Sequence, residues 1–230
     1  MGAAAFFDNV TIRQITVYGA VRWLLRHQRA QQAEICMLRF LLYLAFFPSG
    51  GIMTGKGAIT MEFNDIYDEN RQPTGRLHRR GSRWRKGEYG LVVCVWVYDG
   101  HGNILLTRRA PGKSYAGTWE NSGGAAKAGE TSLEAIVREL YEETGIQASA
   151  EEFELLETCQ DSIAFYDHYC LRRATPLSDI VLLPGETDDV RWATFEEIHH
   201  MIQRRQICSI IARQFLRQES LLKSRQIVQE

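Results

Sequence analysis

Between Gly123 and Ile146, in "GGAAKAGETSLEAIVRELYEETGI", the carboxylates Glu130, Glu134, Glu139, Glu142 and Glu143 crowd around Arg138. Like charges at i, i+4 on a helix cost a few tenths of a kcal/mol per pair, so so dense a set calls for a counter-charge. Arg138 reaches Glu134 and Glu142 at helical spacing. A hard divalent cation would supply the rest. Mg²⁺ takes oxygen ligands, typically one or two carboxylates, and completes its octahedron with water and substrate phosphates. The chemistry to expect is metal-assisted work on a phosphate; the plainer alternative is a solvated acidic face, where pairs such as Glu142-Glu143 are common.

The segment reads as a helix on grounds independent of its acids. Thr131 followed by Glu134 is a capping-box start, and Gly145 supplies a left-handed stop. Leu133, Ile136, Val137 and Leu140 recur at i, i+3, i+4, i+7 and predict one apolar stripe against a core. At about 100° per residue, Glu139, Glu142 and Glu143 then cluster on roughly the opposite side.

The spacing is more specific than the charge. Gly124, five residues, Glu130, seven residues, Arg138-Glu139-Leu140, one residue, Glu142-Glu143, one residue, Gly145-Ile146 resembles the complete Nudix box. That resemblance implies an α/β/α sandwich with a mixed β-sheet, and attack of water on the pyrophosphate bridge of a nucleoside diphosphate linked to another group. It implies Mg²⁺, with Mn²⁺ as the substitute, held by Glu139, Glu142, Glu143 and the Gly123 carbonyl. Arg138 would orient the acids, and Glu130 would be structural or a weak partner behind the ligands. For the general base the expectation is Glu142, then Glu139. Asp167 and Glu186 are later acids that could add a ligand.

Substrate phosphates call for cations, and Arg108, Arg109 and Lys113 lead into the glycine-rich loop that carries "GTWENSGG". A guanidinium suits a pair of pyrophosphate oxygens. The basic run "RLHRRGSRWRK" is expected to be a solvated hairpin partly facing the site rather than a nucleic-acid patch, because residues 61 to 230 hold 21 Lys/Arg against 26 Asp/Glu. Trp84, Tyr115, Trp119, Phe165 and Tyr166 are candidates for stacking a base, though aromatics more often pack.

Residues 61 to 200 are also similar to isopentenyl-diphosphate-isomerase-like Nudix proteins. That branch raises an isomerase as the rival reading, yet Asn121-Ser122 is followed by Gly123-Gly124-Ala125-Ala126, without the Cys and metal-binding His that such an isomerase carries there. A nucleotide-binding regulator that keeps the box without turnover is the third reading.

These residues need a scaffold. "EFNDIYDENRQPTGRLHRRG" and "LVVCVWVYDGHGNILLTRR" predict two hairpins. Strands are expected at Phe153 to Gln160, Ile163 to Arg172 and Val190 to Ala193, and helices near Phe195 to Gln203 and Ser209 to Leu222. The chain of 230 residues has net charge −1 and 45% hydrophobic residues, enough for one sizeable core. Its five cysteines, Cys36, Cys94, Cys159, Cys170 and Cys208, are scattered without a CxxC pair and predict a reducing cytoplasm rather than a disulfide framework.

Residues 1 to 60 stand apart, with six Lys/Arg against two Asp/Glu. "ICMLRFLLYLAFF" is shorter than the roughly 20 residues of a membrane span. "KGAITM" can be encoded with a ribosome-binding element ahead of Met61. The expectation is a working domain at 61 to 230 preceded by a non-functional extension, with an amphipathic membrane anchor as the rival. No nucleic-acid or membrane partner is expected, and the sequence is silent on oligomeric state.

Overall fold

A computed structural model describes residues 62–227, so the expectation for residues 1 to 60 lies outside the described residues. Among these described residues nine strands and three α-helices follow in chain order. They are β1 (Phe63–Tyr67), β2 (Pro73–Arg79), β3 (Gly90–Tyr98), β4 (Asn103–Arg109), β5 (Trp119–Glu120), β6 (Ser122–Ala125), α1 (Ser132–Thr144), β7 (Glu154–Gln160), β8 (Ala164–Arg172), β9 (Thr187–Thr194), α2 (Phe195–Gln203) and α3 (Ser209–Ile227).

β1 and β2 form a two-stranded antiparallel hairpin, and the other strands form one sheet in the order β5-β4-β3-β8-β7, with β6 on β3 and β9 on β4. β3 runs parallel to β8 from Gly90↔Ala164 to Tyr98↔Arg172, while the neighbouring pairs are antiparallel. A mixed sheet results. Helices cover both faces: Val93, Val95 and Val97 pack with Ile136 and Leu140 of α1, whereas Trp96 and Tyr98 pack with Ile198 of α2 and Phe215 and Leu222 of α3. The α/β/α sandwich is therefore present as expected.

The second predicted hairpin is present, antiparallel and closed by the Asp99 N–H on the Asn103 carbonyl at 3.2 Å, but its ladder is short. β3 and β4 share only the pair Tyr98↔Ile104, and beyond the turn β3 turns to β6 and β8 while β4 turns to β9. The reason is burial: "GLVVCVWVY" is apolar on both faces, and such a strand belongs at the centre of a covered sheet. β9 is also longer than Val190 to Ala193, and α3 continues past Leu222. Among the described residues no helix is long and apolar enough to cross a membrane.

His168 on β8 is fully buried, 3.6 Å from the Cys159 thiol through Nε2, and its Nδ1 has no hydrogen-bond partner among the described residues. Burial, aided by Arg217, holds its pKa down to about 4. The ring is neutral in the fold but protonates near pH 6.5 when unfolded, so stability is full above that value and falls as pH drops toward 4. The loss amounts to about 3 kcal/mol. Urea unfolding at pH 7 and pH 4.5 should show a smaller acid-induced loss in His168→Gln than in wild type; equal losses would refute the assignment.

Candidate active site

α1 starts and stops as its sequence dictates. The Thr131 side chain accepts from the Glu134 N–H, the Glu134 carboxylate accepts from the Thr131 N–H, and Gly145 adopts φ 69°. Its buried face is displaced from the expected stripe: Ala135, Ile136 and Leu140 are sealed, but Leu133 is 37% exposed because the first turn projects past the core. Glu134, spent on the cap, does not pair with Arg138.

The acidic face of α1 turns inward against β6. Gly124 permits this, since a Cβ there would meet Glu139 Oε1 at 2.4 Å; at Gly123 it would meet the Val93 carbonyl at 2.3 Å. Gly123 is thus a steric requirement of the sheet backbone, while a side chain at Gly124 would displace the Glu139 carboxylate. Between the helix and the sheet opens a cleft whose lining includes Gly123, Glu139, Glu142, Glu143, Arg138, Lys127, Glu120 and Glu186.

Arg138 is the hub of the acids. Nε and Nη2 donate to Glu130 at 2.6 and 2.8 Å, and Nη1 donates to Glu139 at 2.8 Å and Glu142 at 3.1 Å. Burial works against its charge, but the bond to Glu130 and the fields of Glu139 and Glu142 prevail and hold its pKa above the ordinary range. Glu130 is consequently a direct partner of the arginine. Burial also pushes Glu139 up, against the pull of Arg138.

Glu143 differs from its neighbours. It is 8% exposed and accepts from the Gly123 N–H at 3.3 Å, and among the described residues no cation pairs with it. Burial first, then the charges of Glu120 and Glu139, push its pKa well above the carboxylate range. Glu120 is the residue missed from sequence. It sits on a two-residue strand that reads as loop, and burial raises its pKa despite both its oxygens accepting from Arg109 Nη1 at 2.7 and 2.6 Å. A carboxylate three residues ahead of the double glycine was the available signal.

The expected phosphate-binding cations divide. Arg109 lines the cleft but is committed to Glu120 and the Ser114 carbonyl; Lys113 lines it and pairs with Glu186. Arg108 lies outside the cleft lining, donating to Asp188 at 2.7 Å and covering the Trp119 ring. Glu186 reaches the cleft, whereas Asp167 is held elsewhere by Arg71, Ser132 and Thr158. None of the five candidate aromatics lines the cleft: Trp84 stacks on His78, Phe165 packs on Tyr89, and Tyr166 donates to Asp161.

Similarity to known proteins gives the family and the fold. The NUDIX domain model matches residues 88–212. An uncharacterized Nudix hydrolase of Listeria monocytogenes, lmo0368, is 33% identical over 140 residues, covering 60% of this chain and 83% of that protein. An isopentenyl-diphosphate Delta-isomerase of Salmonella heidelberg is 28% identical over 120 residues, 51% of this chain and 60% of that one. The crystal structure of DR0079 from Deinococcus radiodurans superposes with a TM-score of 0.59 at 23% identity, covering 68% of this chain and 98% of that chain, and so shares the fold.

Proposed function

The chain belongs to the Nudix family of pyrophosphohydrolases, and we propose that it cleaves, with Mg²⁺ or Mn²⁺, the pyrophosphate bond of a nucleoside diphosphate linked to another group or of a related small diphosphate. The observation that carries the reading is the buried Glu143 beside Glu120 and Glu139, with which no cation pairs among the described residues. Among the described residues no three acidic, histidine or cysteine side chains stand already gathered around one point, and Arg138 engages two of the acids. The donor chemistry nonetheless fits a hard cation, being all oxygen and anionic.

Glu139, Glu142, Glu143 and the Gly123 carbonyl would hold the ion. Once bound, it supplies charge neutralisation on phosphate oxygens and acidifies a bound water. Phosphoryl transfer asks for positioning and charge more than covalent help. Arg138 keeps Glu139 and Glu142 oriented toward the glycine loop. Glu142, the more exposed of the two, would accept the water's proton, with Glu139 as the second candidate.

The test is release of phosphate-containing products from a panel of nucleoside diphosphates, sugar nucleotides and dinucleotides, with and without Mg²⁺ or Mn²⁺. Metal-dependent hydrolysis of a member is expected; no turnover of any would sink the reading. The isomerase relative motivates a second assay. Proton transfer at carbon needs a positioned acid and base, yet no cysteine or histidine lines the cleft among the described residues, and Cys94 is buried with its thiol pushed up by burial. Isopentenyl diphosphate should therefore yield no dimethylallyl diphosphate, and measurable conversion would overturn the hydrolase assignment.

A further inference from the structure

Part of the cleft wall comes from chain that precedes the family domain. Glu62, Asn64 and Arg80 line the cleft, although the family model begins at residue 88. Their hairpin is clamped over the glycine loop. Asn64 is buried and its Nδ2 donates to the Ala126 carbonyl at 2.6 Å; the Ala128 N–H donates to the Phe63 carbonyl at 2.8 Å, and the Gly129 N–H to Asp65 Oδ2 at 2.7 Å. The Arg80 N–H then donates to the Glu62 carbonyl at 2.9 Å, which sets the two side chains beside each other at the cleft.

The five cations of the lining are not equally available. Arg138 and Arg109 are each tied to a half-buried or buried carboxylate by short bonds, and breaking such pairs is expensive. Arg80 is 64% exposed at its side chain and its partner Glu62 39% exposed. An exposed pair of this kind contributes little in water, so its guanidinium can change partner at small cost. The charges of Glu139 and Glu186 act on Arg80 after that of Glu62, which places it among the acids of the site. Among the described residues that line it, the cleft offers a substrate charge and hydrogen bonds.

We propose that Arg80 is a substrate-binding residue for the diphosphate, held ready by Glu62 and passed to a phosphate when substrate arrives. Guanidinium and phosphate match in geometry and charge, and the contact can be bidentate. The inference rests on the reading of this cleft as a diphosphate site.

Calorimetry with imidodiphosphate, a non-hydrolysable diphosphate, tests it directly on the full chain with and without Mg²⁺. Arg80→Ala is expected to weaken binding at least tenfold, Arg80→Lys to recover part of the loss, and Glu62→Gln to tighten binding by removing the competing carboxylate. For any substrate turned over, KM should rise in Arg80→Ala while kcat stays within about threefold, the signature of lost uniform binding. The melting temperature should not move, since the side chain is exposed. Unchanged probe affinity in Arg80→Ala, or no binding of the probe by wild type, would overturn the inference. Arg80-dependent probe binding in a chain that hydrolyses nothing would leave it standing and count only against the hydrolase reading.

Discussion

In steady-state assays with Mg²⁺ or Mn²⁺, Glu142→Gln and Glu143→Gln should each lose about a thousandfold in turnover, roughly 4 kcal/mol of barrier. Each substitution preserves size and hydrogen-bonding capacity and removes one charge from the proposed ligand set. The two variants should part company in stability. Glu143 lies buried near Glu120 and Glu139 with no cation partner among the described residues, so Glu143→Gln relieves repulsion and should melt higher than wild type in the absence of metal. Glu142 accepts from Arg138 at 3.1 Å and lies 3.5 Å from Lys127, so Glu142→Gln forfeits two attractions and should melt no higher than wild type. Added divalent cation should raise the melting temperature of wild type more than that of either variant. Turnover within tenfold of wild type at limiting metal, in either variant, would show the ligand assignment to be wrong.

What the sequence made legible is what it decides locally. The Thr131 and Glu134 cap, the Gly145 stop and the inward Ile136 and Leu140 follow from residues within one or two turns of each other. Leu133 departs because helical periodicity gives a direction but not how far the core extends beneath it. The run of β3 shows a buried strand, yet which strands flank it depends on pairings more than 60 residues away, such as Cys94↔His168. In the site, the acids of α1 share one short helix and could be grouped by spacing. Glu120 is placed by the pairing of β5 with β4, and Arg80 meets Glu62 because β1 and β2 fold back on each other. Arg109 lines the cleft and Arg108 does not, a division that spacing could not give because the register of β4 on β9 shifts between these two residues.

Replacing Arg138 should have the largest effect on the fold. Its guanidinium is 15% exposed at the side chain and spans Glu130, Glu139 and Glu142, with a further bond to the Ala125 carbonyl at 3.3 Å. Arg138→Met keeps much of the volume and removes the charge, leaving the acidic face to repel itself. Deleting one partner of a buried ion pair costs about 3 to 5 kcal/mol, and the same order is expected here in urea unfolding at pH 7 without metal. Arg138→Lys should recover only part, because an ammonium concentrates its donors at one point and cannot bridge carboxylates on both sides as the planar fork does. Divalent cation offers a second check. With the arginine gone, Glu139 and Glu142 are released to the ion, so Mg²⁺ or Mn²⁺ should stabilise Arg138→Met by more than it stabilises wild type. Turnover should still fall, since the carboxylates lose the group that orients them. Stability of Arg138→Met within about 1 kcal/mol of wild type would mean that water, rather than this guanidinium, compensates the acids.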